Sequence, residues 1–161
     1  MSKIKELLKD KESVLAFDVD GVLALLEFGE YHHYILSDEE WDKAIGEGRN
    51  FYTDEKVSKK MQAFLKDKDM DRIYVITKAS TVKEFEYKKI YLSKNYNIKP
   101  ENMYYVEHNT DKKEKMKLIK EKYKDLPDCK MIMIDDTTSV LSDVMEHTNF
   151  STAHISSFLD I

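Results

Sequence analysis

The chain has 161 residues and a mass of 19.0 kDa, 42% hydrophobic and 35% charged, with 26 basic against 31 acidic side chains and a net charge of −5. That length suits one domain, spanning residues 1–161, and the balance is that of a folded globular chain, not a disordered one. The negative charge counts against a broad nucleic-acid-binding face, because affinity for a phosphate backbone comes from positive surface, but it leaves room for a small phosphorylated substrate in a local pocket.

The single cysteine, Cys129, excludes an internal disulfide framework and reads as a reduced, buried thiol. No apolar run is long enough to span a bilayer, and the first residues, Met1 to Glu6, lack the apolar core of a signal peptide. The expectation is a cytoplasmic protein without membrane contact. Its oligomeric state has no signature in the sequence.

In chain order, five short apolar, β-prone runs alternate with lysine-rich segments: Val14–Phe17, Ile73–Ile76, Met103–Val106, Met131–Ile134 and Thr152–Ile155. Each is nearly continuous in apolar character, as befits a strand covered on both faces. The intervening segments carry apolar stripes at helical spacing. Val57, Met61, Phe64 and Leu65 form one, Met116, Ile119 and Tyr123 another, and Val140, Leu141 and Val144 a third, with Phe85, Ile90 and Leu92 in a further segment. Strand and helix in alternation imply a parallel sheet with helices on both faces. Thr81 with Glu84, and Asp111 with Glu114, read as capping boxes at helix starts.

One interval breaks this rhythm. Residues 24–53 separate the first strand from the next long helix, and they hold the only tryptophan, Trp41, the pair His32 and His33, and Arg49. All four glycines, Gly21, Gly29, Gly46 and Gly48, fall in or just before it. A short helix is expected to start at Ser37, capped by Glu40. The stretch reads as a small cap inserted over one end of the sheet.

Ligands of parallel α/β sheets bind beyond the carboxyl ends of the strands. There the first run ends in Asp18-Val19-Asp20-Gly21 and the fourth in Asp135-Asp136-Thr137. If these runs are neighbours, four carboxylates meet at one edge, where their mutual repulsion calls for a hard divalent cation, magnesium above all. The second run ends in Thr77-Lys78, offering a hydroxyl, and Lys112, Lys113 and Lys115 crowd a helix start on the same edge. Acids, a hydroxyl and an ammonium converging on one pocket suit a phosphate ester.

These four elements in this order, DxDGV after an apolar strand, a strand-end threonine, a lysine at a helix start and an acidic pair after another apolar strand, resemble the haloacid dehalogenase superfamily. The likeness runs from Val14 to Ile155. It implies a three-layer, Rossmann-like α/β fold with strand order 5-4-1-2-3 and the insert as a small cap. It implies Asp18 as a nucleophile forming an aspartyl-phosphate, Asp20 as proton donor and acceptor, and Thr77 as a phosphoryl hydrogen-bond donor. Lys112 would neutralise charge, with Lys113 and Lys115 as rivals. Asp18, Asp20 (through its carbonyl), Asp135 and Asp136 would hold Mg2+, with either or both of the last two in direct contact.

An acid at position 20 suits phosphoester chemistry. A small cap and an aromatic-rich insert are loosely similar to deoxynucleotidase-like members, so a nucleoside monophosphate is the first substrate expected, with Arg49 and Lys78 as substrate contacts. The competing readings are a phosphatase acting on a polynucleotide 3′ end, which the net charge disfavours, and a binding or regulatory module that keeps the fold without turnover. A receiver-like signalling domain fits poorly, because the third run leads into Glu107-His108-Asn109 instead of an aspartate.

Overall fold

The computed structural model describes residues 2–25, 36–53, 56–159 and 161. Helix α1 (Lys3–Lys9) leads into strand β1 (Val14–Phe17), which lies at the centre of a five-stranded parallel sheet. On one side β1 pairs with β4 (Ile73–Lys78), which pairs with β5 (Met103–Val106). On the other it pairs with β6 (Met131–Asp135), which pairs with β7 (Ser151–His154). The order is β5-β4-β1-β6-β7. Counting these five alone in chain order, it reads 3-2-1-4-5 from one edge and 5-4-1-2-3 from the other.

The three central strands, β1, β4 and β6, are covered on both faces, and the two-residue alternation of side chains divides the core into two layers. Leu15 and Phe17 of β1, Ile73 and Val75 of β4, and Ile132 and Ile134 of β6 pack with Leu8, Leu65, Phe85 and Leu92. These last four come from α1, from α3 (Lys59–Leu65) and from α4 (Val82–Tyr96). Val14 and Ala16, Tyr74 and Ile76, and Met131 and Met133 face the other way, onto Met116 and Ile119 of α5 (Lys112–Lys120) and Val144 of α6 (Thr138–His147). The same alternation fixes where the strand-end polar residues go. Thr77 continues the Ile73, Val75 series toward α4, whereas Asp135 continues the Met131, Met133 series toward α5.

The described part of the 24–53 insert is anchored at both ends. Ala24–Leu25 form a short strand, β2, antiparallel to β3 (Lys56–Val57), so the chain leaves and returns at one place. Between them lies α2 (Asp38–Gly46). The Ser37 side chain accepts from the Glu40 amide and the Glu40 carboxylate accepts from the Ser37 amide, the reciprocal cap expected from the sequence. A nine-residue helix is marginal on its own, so the cap and the packing of Ile45 hold it.

Three local expectations change. Asp111 makes no side-chain cap for α5, because the chain enters that helix through a 3-10 turn over Asn109–Asp111. Thr81 does cap α4 through the Glu84 amide, but the Glu84 side chain turns toward the insert instead of closing a box. Cys129 is exposed, not buried: it sits in the turn Asp128–Lys130 ahead of β6, outside both apolar layers. Among the described residues no helix is long and apolar enough to cross a membrane.

Candidate active site

The β1–β6 pairing sets Phe17 beside Ile134, and the Asp18 amide extends that ladder by donating to the Ile134 carbonyl at 2.9 Å. Asp18 and the Asp135-Asp136 pair therefore leave the sheet side by side. One carboxylate oxygen from each of Asp18, Asp135 and Asp136 lies within 4.8 Å of the others. Immediately after Asp18 the chain turns back tightly, with the Val22, Leu23 and Ala24 amides all donating to the Val19 carbonyl. Gly21 makes this possible. Its φ is +78°, and a Cβ placed there would come within 2.2 Å of Asp136 Oδ2 and 2.9 Å of Asp136 Cγ. Any side chain at position 21 would strain the turn and push Asp136 out of the acidic group.

Two buried lysines divide the acids into two sets. Lys112, at the first position of α5, is almost fully buried and donates to Asp135 Oδ2 at 2.8 Å. Its ammonium also lies 3.0 Å from Asp18 Oδ1, a buried oxygen that has this ionic partner and no hydrogen bond. Asp135 is completely buried and accepts the Thr137 amide through its other oxygen at 2.9 Å. Burial works against the Lys112 charge, but Asp18 and Asp135 outweigh it and hold the ammonium above the ordinary lysine range. Burial and the neighbouring Asp18 charge push Asp135 up to about 6, against the opposing pull of Lys112. Burial and Asp18 push Asp136 up as well.

The second lysine is Lys88, on α4. It is fully buried, and its ammonium lies 2.7 Å from Asp20 Oδ2, 3.1 Å from Glu84 Oε1 and 3.1 Å from the Thr77 hydroxyl. The other Asp20 oxygen accepts from the Tyr52 hydroxyl at 2.7 Å. Burial raises the Asp20 carboxyl above its ordinary range, and the Asp18 charge adds to this while Lys88 opposes it. Asp20 thus sits apart from the three clustered acids, held by two donors of its own.

Both sets open onto one cavity of about 250 Å³, lined by Asp18, Asp20, Gly21, Asp136, Thr137 and Asn109 at its floor and by Trp41, Leu36, Asp38, Asp42, Lys78, Ala79, Ser80 and Glu84 toward the insert. Trp41 stacks on Phe51 with ring centroids 4.2 Å apart and donates its indole N–H to Glu84 at 3.2 Å. The Ser80 hydroxyl donates to Asp42.

Of the residues singled out in the sequence, Asp18, Asp135, Asp136 and Lys112 converge, and Asp20 lies apart from them on the lining of the same cavity. Lys113 instead pairs with Asp143 on α6 at 2.8 Å, and Lys115 makes no contact with the acids. Lys78 is on the cavity wall, where it pairs with Asp38 at 3.2 Å. Two residues stand off. Thr77 is fully buried, with its hydroxyl donating to the Lys78 carbonyl and accepting from Lys88. Arg49 is exposed and its guanidinium lies over the Phe51 ring at 4.7 Å, outside the cavity lining. His32 and His33 lie outside the described residues.

Sequence reasoning passed over Glu84, Lys88 and Tyr52. A signal was there: Glu84 and Lys88 share the helical stripe of Phe85, Tyr91, Leu92 and Tyr96, where a solvated charge has no place.

Chemically, the three clustered carboxylates fit a hard divalent cation. Their oxygens are close enough to share one, and Asp18 Oδ1 is a buried acceptor with no hydrogen-bond donor. No protein-family model matches the chain, and a search of curated proteins finds no match.

Proposed function

We propose that this chain is a magnesium-dependent phosphomonoester hydrolase of the haloacid dehalogenase type, acting through an aspartyl-phosphate on Asp18. The observation that carries the reading is the placing of Asp18 in the cavity wall, beside two acids of the adjacent strand and 3.0 Å from a buried lysine. An isolated carboxylate is a poor nucleophile toward a phosphate dianion because like charges repel. Mg2+, held by Asp18, Asp135 and Asp136, would supply the positive charge that draws the two together. Lys112 keeps Asp18 oriented and offsets its charge. Asp20 gives its proton to the departing alcohol and takes one from the water that follows. The Thr77 hydroxyl is buried between Lys88 and the Lys78 carbonyl. Among the described residues the hydroxyls on the cavity lining are those of Ser80 and Thr137, which donate to Asp42 and Asp136 and would turn from these acids to meet a phosphoryl oxygen.

The substrate we favour is a small monoester with an uncharged leaving group, a nucleoside monophosphate first. Trp41 and Leu36 offer an apolar wall, while Asp38 and Asp42 disfavour further negative charge at the leaving-group end. The same acids weigh against a polynucleotide end. The deciding experiment is phosphate release from a panel of aryl, sugar and nucleoside phosphates with Mg2+ and with chelator. Release that requires Mg2+ is expected. Silence across the panel from folded protein overturns the reading in favour of a binding module.

The metal also has a consequence for stability. Asp135 is raised to about 6 from 3.8, so the folded state binds more protons than the unfolded state in that window. Stability of the metal-free protein therefore falls as pH rises from about 4 to about 6, by on the order of 1–3 kcal/mol, and stays low above it. Mg2+ should raise the melting temperature by several degrees at pH 7.5 and hardly at all at pH 4.5. An equal Mg2+ effect at both pH values would remove the acidic cluster as its site.

A further inference from the structure

The hydrolase reading gives Asp20 a task but leaves unexplained why a lysine is buried completely beside it. An apolar side chain of similar length would fill that position on α4 without bringing a charge out of water, and buried ion pairs are seldom the more stable choice. The ammonium is placed where it meets Asp20 Oδ2, Glu84 Oε1 and the Thr77 hydroxyl, while Tyr52 meets Asp20 Oδ1. Each Asp20 oxygen thus has one donor, from opposite sides. One donor comes from the helix behind the sheet and the other from the last turn of the insert. Lys88 is itself fixed by Glu84, whose carboxylate also takes the Trp41 indole N–H and the Ser80 amide.

We propose that Lys88 and Tyr52 are positioning residues that clamp the Asp20 carboxyl group at the angle from which it serves the leaving oxygen. This rests on the hydrolase reading. In the first half-reaction Asp18 forms a bond to phosphorus and the bond from phosphorus to the alcohol oxygen breaks. Its electron pair stays on that oxygen, which receives the proton of Asp20. In the second, water bonds to phosphorus, the bond to the Asp18 oxygen breaks and returns the carboxylate, and the water proton passes to Asp20. Ester and water become alcohol and phosphate. Lys88 keeps its proton throughout and faces the charge that Asp20 acquires between the two halves. Tyr52 holds the other oxygen, so that the carboxyl group cannot swing about its Cβ–Cγ bond.

A clamp on a proton donor has a signature that a merely structural ion pair lacks. A good leaving group departs without a proton, whereas a poor one needs it. The experiment compares an aryl phosphate of low leaving-group pKa with an alkyl phosphate, using the Lys88→Met, Glu84→Gln double variant, in which the pair is neutralised together, and Tyr52→Phe. General acid catalysis is worth about 10²–10⁴ in rate. The double variant should lose about 100-fold or more in kcat on the alkyl ester and under about 5-fold on the aryl ester, with KM changing little. Tyr52→Phe should shift the ratio the same way by about 10-fold.

Equal losses on both esters, or an unchanged ratio, overturn the clamp. If the double variant does not fold, Tyr52→Phe decides by the same ratio. Wild-type protein inert toward both esters overturns the hydrolase reading itself and the clamp with it. An active wild type with an unchanged ratio in the variants removes the clamp alone.

Discussion

Replacing Asp18 with Asn is expected to abolish turnover, lowering kcat by at least about 10⁴-fold, while leaving the fold intact. An amide oxygen does not attack phosphorus, and among the described residues the acids beside position 18 are engaged elsewhere, Asp136 accepting from the Thr137 hydroxyl. Asp20 is held between Lys88 and Tyr52, and Asp135 is bonded to Lys112 and to the Thr137 amide. The same change should not weaken the metal-free protein. The Asp18 charge is one of the causes that push both Asp135 and Asp136 up, so removing it relaxes two neighbours at once. Melting curves should therefore show an unchanged or slightly higher midpoint without Mg2+ and a smaller rise on adding it. Activity within tenfold of wild type would move the nucleophile elsewhere. A sharp drop in melting temperature would mean that the Asp18 charge holds the fold together.

What could be read from the sequence follows from the physics of covered strands. A strand buried on both faces has no polar face to interrupt it, so the runs at 14, 73 and 131 stand out, with that at 103 beside them, and the acids that end the first and the fourth are placed with little error. The run at 152 is displaced by one residue, since β7 is an edge strand with only Ala153 buried among its four residues. Lys112 was separable from Lys113 and Lys115 because Met116 and Ile119 follow it on the buried stripe of α5.

The second lysine was harder. Lys88 lies in a chain rich in lysine, and its neighbour Glu84 already had an explanation as a helix cap. Thr77 shows a different limit. Alternation assigns it to the face of Ile73 and Val75, but which helix covers that face depends on the handed path of the chain, and only in three dimensions does Lys88 arrive beneath it. Cys129 fell outside such reasoning because a lone cysteine next to a strand carries no periodic signal. Tyr52 ends a segment without periodicity, and its contact with Asp20 spans 32 positions.

Lys112→Met should have the largest effect on stability. The ammonium sits against Asp18 and Asp135 at 3.0 Å and 2.8 Å, and the Asp135 side chain has no exposure through which water could compensate. Removing one member of a buried pair leaves an unneutralised charge, which typically destabilises by about 3–5 kcal/mol. For a chain of this size that is a fall of roughly 10 °C in melting temperature at pH 7.5.

The sign with pH is fixed. Asp135 is raised to about 6 even with Lys112 present, and without it burial and Asp18 push it higher still. The penalty is absent while the carboxyl is protonated in both states, below about 4, and grows as pH rises through the folded-state value. The gap between variant and wild type should accordingly be small at pH 4.5 and wide at pH 7.5. Mg2+ should narrow it at the higher pH, because a cation among the three carboxylates replaces part of the missing charge. A variant that melts within a degree of wild type at pH 7.5 would mean that Asp135 is already protonated in the folded protein. Lys112 would then be a donor to a neutral acid, and the negative charge available to hold a cation would fall from three carboxylates to two, those of Asp18 and Asp136.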